Sequence, residues 1–69
     1  EVCMWVVKVY LSDGFYAGYL DEDGRVTKMV TSAWVFVSQQ QAAEAAKVGK
    51  TQIPTLSFVV ECVEESYEV

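Results

Sequence analysis

Histidine is absent from this chain, and proline and cysteine are scarce: Pro54 stands alone, and the two cysteines are Cys3 and Cys62. Without histidine the usual proton shuttle near neutral pH is missing, and Ser-His-Asp or Cys-His triads are excluded. Two distant cysteines make neither a zinc site of ordinary spacing nor a disulfide framework. If Cys3 lies on the first strand and Cys62 on the last, a bridge requires those strands to be neighbours. Free thiols in a reducing compartment are the expectation. Basic residues are few as well. Lys8, Arg25, Lys28, Lys47 and Lys50 are scattered among ten acids, for a net charge of -5. Direct nucleic-acid binding, which depends on neutralising phosphates, is therefore not expected. No apolar run approaches the roughly 20 residues of a membrane span, and the start "EVCMWVVKVYL" lacks the basic opening and small-residue cleavage site of a signal peptide. A soluble, cytoplasmic protein without membrane contact is expected. The chain begins at Glu1 rather than at a methionine, which is compatible with a piece of a longer protein. Its four glycines stand singly, and none opens a helix as a phosphate loop does. No cofactor is expected.

What the sequence does hold is apolar. At 52% apolar residues it is not a disordered segment. Residues 1–69 form one small domain, too short to bury much more than about 60% of its unfolded surface, so a partner or a second copy would help to stabilise it. Val2 to Leu11 reads as a central strand, with Cys3, Trp5, Val7, Val9 and Leu11 on one face and Val2, Met4, Val6, Lys8 and Tyr10 on a wetter one. Asp13-Gly14 is a hairpin signal. Phe15 to Leu20 follows as the second strand, with Gly18 marking a bulge or a close approach, such as a covering ring from Trp5 or Tyr10. Asp21-Glu22-Asp23-Gly24 is a second turn. Its acids do not continue into the alternating oxygen ligands of a calcium loop.

Arg25 to Val37 is extended in character: either a third strand with a kink, or a short strand followed by an extended lead into a helix. Ser38 and Gln41 form a capping box. The run "QQQAAEAAKVG" is helix material that turns Ala42, Ala45 and Ala46 inward and ends at Gly49 as its C-cap. Lys50 to Thr55 is a connector, and Leu56 to Val63 the last strand. Residues 64–69 read as a frayed acidic tail, though Tyr67 and Val69 could extend that strand. The fold class is α+β: a small antiparallel sheet of three to four strands with one helix on one face, in the order β-β-β-α-β. The opposite face, with Val6, Tyr10, Tyr16 or Tyr19, and Val59 or Val63, is left without a helix to cover it.

One pattern spans most of the chain: an Asp-Gly-aromatic hairpin, the stretch Ala33 to Phe36, a serine-capped helix with paired alanines, and a valine-rich last strand. It resembles small uncharacterised proteins of Gram-positive bacteria, their phages and prophages. The resemblance implies the fold rather than an activity and transfers no catalytic residue. A phage origin would imply binding to a host component.

Function follows by elimination. The acids sit in turns and in the tail, where nothing tunes them for catalysis, so an enzyme is not expected. The Trp and Phe residues are expected in the core. Tyr10, Tyr16 and Tyr19 gather at one hairpin, and tyrosine is a frequent interface residue. With Val59 they make the candidate interface of a non-catalytic interaction module that binds a protein or itself, as a homo-oligomer. The alternative is an acidic inhibitor of a nucleic-acid-binding protein, using Glu61, Glu64, Glu65 and Glu68, with Asp21, Glu22 and Asp23 at the turn.

Overall fold

The computed structural model describes residues 3–64, and the side chains of 4–63. Its organising element is β1 (Cys3–Tyr10), a run of branched and aromatic residues that favours a pleated, half-buried surface. Strand β2 (Tyr16–Leu20) pairs with one side of β1, β3 (Val26–Thr27) pairs with β2, and β4 (Ser57–Glu64) pairs with the other side of β1. The result is a four-stranded antiparallel sheet in the order β3-β2-β1-β4. With the one helix α1 (Gln39–Gln52), the fold is α+β in the order β-β-β-α-β.

The two Asp-Gly turns share one geometry. Leu11 N–H donates to Phe15 O and Gly14 N–H to Leu11 O, while Asp21 N–H donates to Arg25 O and Gly24 N–H to Asp21 O. In each loop an aspartate Oδ1 takes backbone amides: Asp13 that of Phe15, and Asp21 those of Asp23 and Arg25. Gly14 and Gly24 hold φ +94 and +79, the left-handed step that closes such loops. Between the turns, Val9 pairs with Gly18 but Tyr10 pairs with Tyr16, so Ala17 is an extra residue and β2 bulges. Gly18, at φ +145, is crowded by the neighbouring strand's backbone rather than by the aromatic ring expected: a Cβ there would stand 2.5 Å from Thr27 O.

Alternation along β1 sorts the two faces. Val7 and Val9 join Leu20, Phe36 and Ala42 in the core, with Trp5, Trp34, Ala45, Ala46, Phe58 and Val60 packed against it. The core thus lies between the sheet and the alanine face of α1. Ser38 caps that helix as expected, its Oγ accepting from Gln41 N–H at 3.2 Å. The end of α1 differs from expectation. The helix runs past Gly49 to Gln52, with Ile53 as C-cap, so the connector is shorter than Lys50 to Thr55. Gly49 serves packing instead: a Cβ on it would lie 2.9 Å from the ring of Phe58. Lys50 closes the connector by donating from Nζ to Pro54 O and Leu56 O.

The segment from Arg25 to Val37 takes the second of its two expected forms. Only Val26–Thr27 pair as a strand, followed by the short 3-10 turn η1 (Val30–Ser32). Phe36 then exchanges both backbone bonds with Trp5, at 2.8 and 2.9 Å, and Trp34 N–H donates to Leu20 O. This stretch fills the side of β1 that β2 is too short to reach. It also overturns the expectation of a wholly uncovered second face. Val30, Thr31 and Val35 lie with Met4, Val6 and Val63 around a cavity of about 350 Å³, and Val6 is only 1% exposed.

Three further expectations are corrected. Phe15 is not core: it is 69% exposed at the hairpin. Glu64 belongs to β4 rather than to a frayed tail, whereas residues 65–69, with Tyr67 and Val69, lie outside the described residues. Cys62 is disulfide-bonded rather than a free thiol. The register pairs Trp5 with Cys62 and Cys3 with Glu64, so the backbones of the two cysteine positions sit on adjoining strands.

Candidate interaction surface

The half of the outer face not covered by η1 collects the tyrosines. Lys8 pairs with Tyr19 on one side and with Val59 on the other, so Tyr19, Lys8 and Val59 form one row across β2, β1 and β4. Tyr10 and Tyr16 pair in the next row, because the bulge at Ala17 returns Tyr16 to this face. The rings meet edge to face: Tyr10 and Tyr16 centroids are 5.7 Å apart, and Tyr16 and Tyr19 6.0 Å. Such arrangements hold aromatic side chains in fixed positions. The structure thus brings all four candidate residues, Tyr10, Tyr16, Tyr19 and Val59, onto one face.

Lys8 is the centre of this surface, a role the sequence signalled only by its place beside Tyr10. Its Nζ lies 2.9 Å from Glu61 Oε1 and 5.7 Å from the centroid of the Tyr16 ring. The hydrogen bond that Lys8 donates to Glu61 raises the Lys8 pKa above its ordinary value, against a smaller effect of desolvation. Tyr16 is also raised, first by desolvation and then by its hydrogen bond with Tyr19. Both groups therefore keep their protons at neutral pH: the surface is a phenolic cluster around one compensated cation. Phe15 and Leu11 are exposed at the neighbouring hairpin.

The candidate acidic surface is not assembled in the same way. Glu61 is engaged with Lys8. Asp21 accepts turn amides at a different corner of the fold. The side chains of Glu64, Glu65 and Glu68 lie outside those described.

Elsewhere, a groove of about 300 Å³ opens between α1 and the sheet, lined by apolar side chains including Leu20, Trp34, Phe36 and Ile53, with Glu44 as its one charged group. The rings of Trp34 and Phe36 meet there with centroids 4.7 Å apart, tilted by 38°. Among the described residues no cluster of three metal-ligating side chains occurs, and no helix is long and apolar enough to cross a membrane.

The fold and this surface define a small α+β domain with a tyrosine-bearing sheet face. Compared with protein-family models, curated proteins and solved structures, the chain matches none.

Proposed function

We propose that this protein is a non-catalytic interaction module whose outer tyrosine face recognises a protein partner. The observation that carries the reading is the joining of Tyr10, Tyr16 and Tyr19 on an accessible face, Tyr16 being 46% exposed. Rigid aromatic rings contribute contact area at low entropic cost, and their hydroxyls can be satisfied by a polar partner. Lys8, already compensated by Glu61, adds a donor without adding an unpaired charge. The reading of the protein as phage- or prophage-encoded stays a proposal that rests on resemblance, and a cytoplasmic location one that rests on composition and runs against the disulfide at Cys62.

The test is affinity capture by the tagged chain from lysate of its source cell or host, read by mass spectrometry beside a Tyr16→Ser, Tyr19→Ser double variant. A stoichiometric partner should be retained by the native chain. It should be weakened about 30-fold or more in the double variant, as loss of an interface hot spot of about 2 kcal/mol implies, with the circular dichroism spectrum unchanged. Equal retention by both chains would remove the tyrosine face from the reading. The second reading, an acidic inhibitor of a nucleic-acid-binding protein, draws its support from composition alone. It would require capture that weakens steeply with salt and with Glu64→Lys plus Glu65→Lys.

A further inference from the structure

Strand β4 forms one edge of the sheet, and its outward side is well defined. Trp5 spends both its N–H and its C=O on Phe36, so its backbone faces away from β4. Backbone direction alternates along an antiparallel ladder. Val7 and Val9 therefore face the same way as Trp5, and their partners on β4, Val60 and Phe58, turn their N–H and C=O toward the outer edge. Natural edges are usually blunted by lysine, proline or a bulge. From Ser57 to Val63 there is no lysine or proline, the register with β1 is unbroken, and the one charge, Glu61, is tied to Lys8.

We propose that this edge pairs antiparallel with β4 of a second copy of the chain, about a two-fold axis passing beside Val59. The inference rests on the reading of the protein as an interaction module and names one of its partners. In this register Phe58 of one copy exchanges both backbone bonds with Val60 of the other, twice over by symmetry. Val59, 46% exposed in the single chain, meets its own counterpart. Glu61 falls opposite Ser57. A pairing shifted to centre on Glu61 would set like charges face to face, which disfavours it.

One further observation fits a second copy. A groove of about 460 Å³ runs beside this edge between α1 and β4, lined by Ala43, Ala46, Lys47, Lys50, Phe58 and Val60. It leaves room for the inward side chains of an added strand. The product is a continuous eight-stranded sheet in which the two tyrosine faces lie side by side.

The test combines light scattering with amide hydrogen exchange on the full chain across concentration. The mass should rise to that of a dimer. The Phe58 and Val60 amides should become slow as it does, while the Val59 amide, already directed at β1, is slow throughout. Val59→Glu, which sets two carboxylates across the axis, should raise the dimer dissociation constant about tenfold or more. A monomer at all concentrations would overturn the proposal. A dimer whose Phe58 and Val60 amides stay fast would also overturn it, leaving self-association through another face. So would slowing of those amides only on addition of a foreign extended peptide. The Tyr16→Ser, Tyr19→Ser variant should dimerise like the native chain, so failure of the tyrosine face and failure of the edge are read separately.

Discussion

Tyr16 is held edge-on between Tyr10 and Tyr19 with the Lys8 ammonium above its ring. Desolvation is the first cause of its raised pKa, and the hydrogen bond with Tyr19 the second. A group whose pKa is raised on folding contributes stability below its unfolded value and loses it as pH rises through the folded value. Lys8, raised first by its bond to Glu61, has the same sign. Both contributions are therefore present at neutral pH and lost above about pH 10. Spectrophotometric titration should show a phenol that ionises later than free tyrosine, absent in Tyr16→Phe, and the urea midpoint should fall over the same range. A titration unchanged by Tyr16→Phe would contradict the packing described for this ring. Gly18 is the other residue with a sharp consequence. Besides Thr27 O at 2.5 Å, its absent Cβ would meet Val26 Cγ1 at 3.0 Å, and the backbone sits at φ +145. Gly18→Ala must therefore displace strand β3 as well as strain β2. A loss of about 3 kcal/mol is expected in denaturant unfolding. A loss under about 1 kcal/mol would mean that β3 does not press on β2.

At the scale of the element, the sequence was legible where a local signal and a tertiary demand agree. Asp13-Gly14, Asp21 to Gly24 and the Ser38–Gln41 cap each close their own hydrogen bonds within a few residues, so they needed no knowledge of the fold. The tyrosine face was legible in part, because strand alternation places Tyr10 and Tyr19. The bulge that returns Tyr16 to the same face was signalled only by Gly18. Elements that pattern left open or misread are those decided at long range. Val26 to Val37 alternates like a strand, but β2 offers it pairing at only two positions. Val30 and Val35 instead lie over Val6, an apolar side chain on the face the helix does not reach. Gly49 looked like a helix stop because glycine favours C-caps. Its actual constraint is Phe58, contributed by a strand that follows it in sequence. Phe15 shows the limit from the other side: hydrophobicity put it in the core, whereas its place at the turn leaves it in solvent.

For the whole molecule the question is what holds so short a chain together. One side of the sheet is covered by an alanine-faced helix that brings little apolar bulk, and half of the other side by a turn of three residues. The disulfide at Cys62 supplies a covalent restraint on β4, the strand that both seats the helix and carries the proposed dimer edge. Spacing alone argued for free thiols, because it cannot say that the first and last strands adjoin. That adjacency is a property of the sheet order. Disulfides persist where the surroundings are oxidising, so the bond bears directly on the expected compartment. Removing such a restraint costs about 2–4 kcal/mol, chiefly by freeing the unfolded chain. In a domain of this size that lowers Tm by roughly 10–30 °C. Thermal unfolding with and without reductant, and of Cys62→Ser, should show this drop, and a thiol-alkylating reagent should add mass to the native chain only after reduction. Alkylation of the unreduced protein, with a Tm indifferent to reductant, would show that β4 is held by packing and backbone bonds alone. The reducing-compartment expectation would then regain its ground.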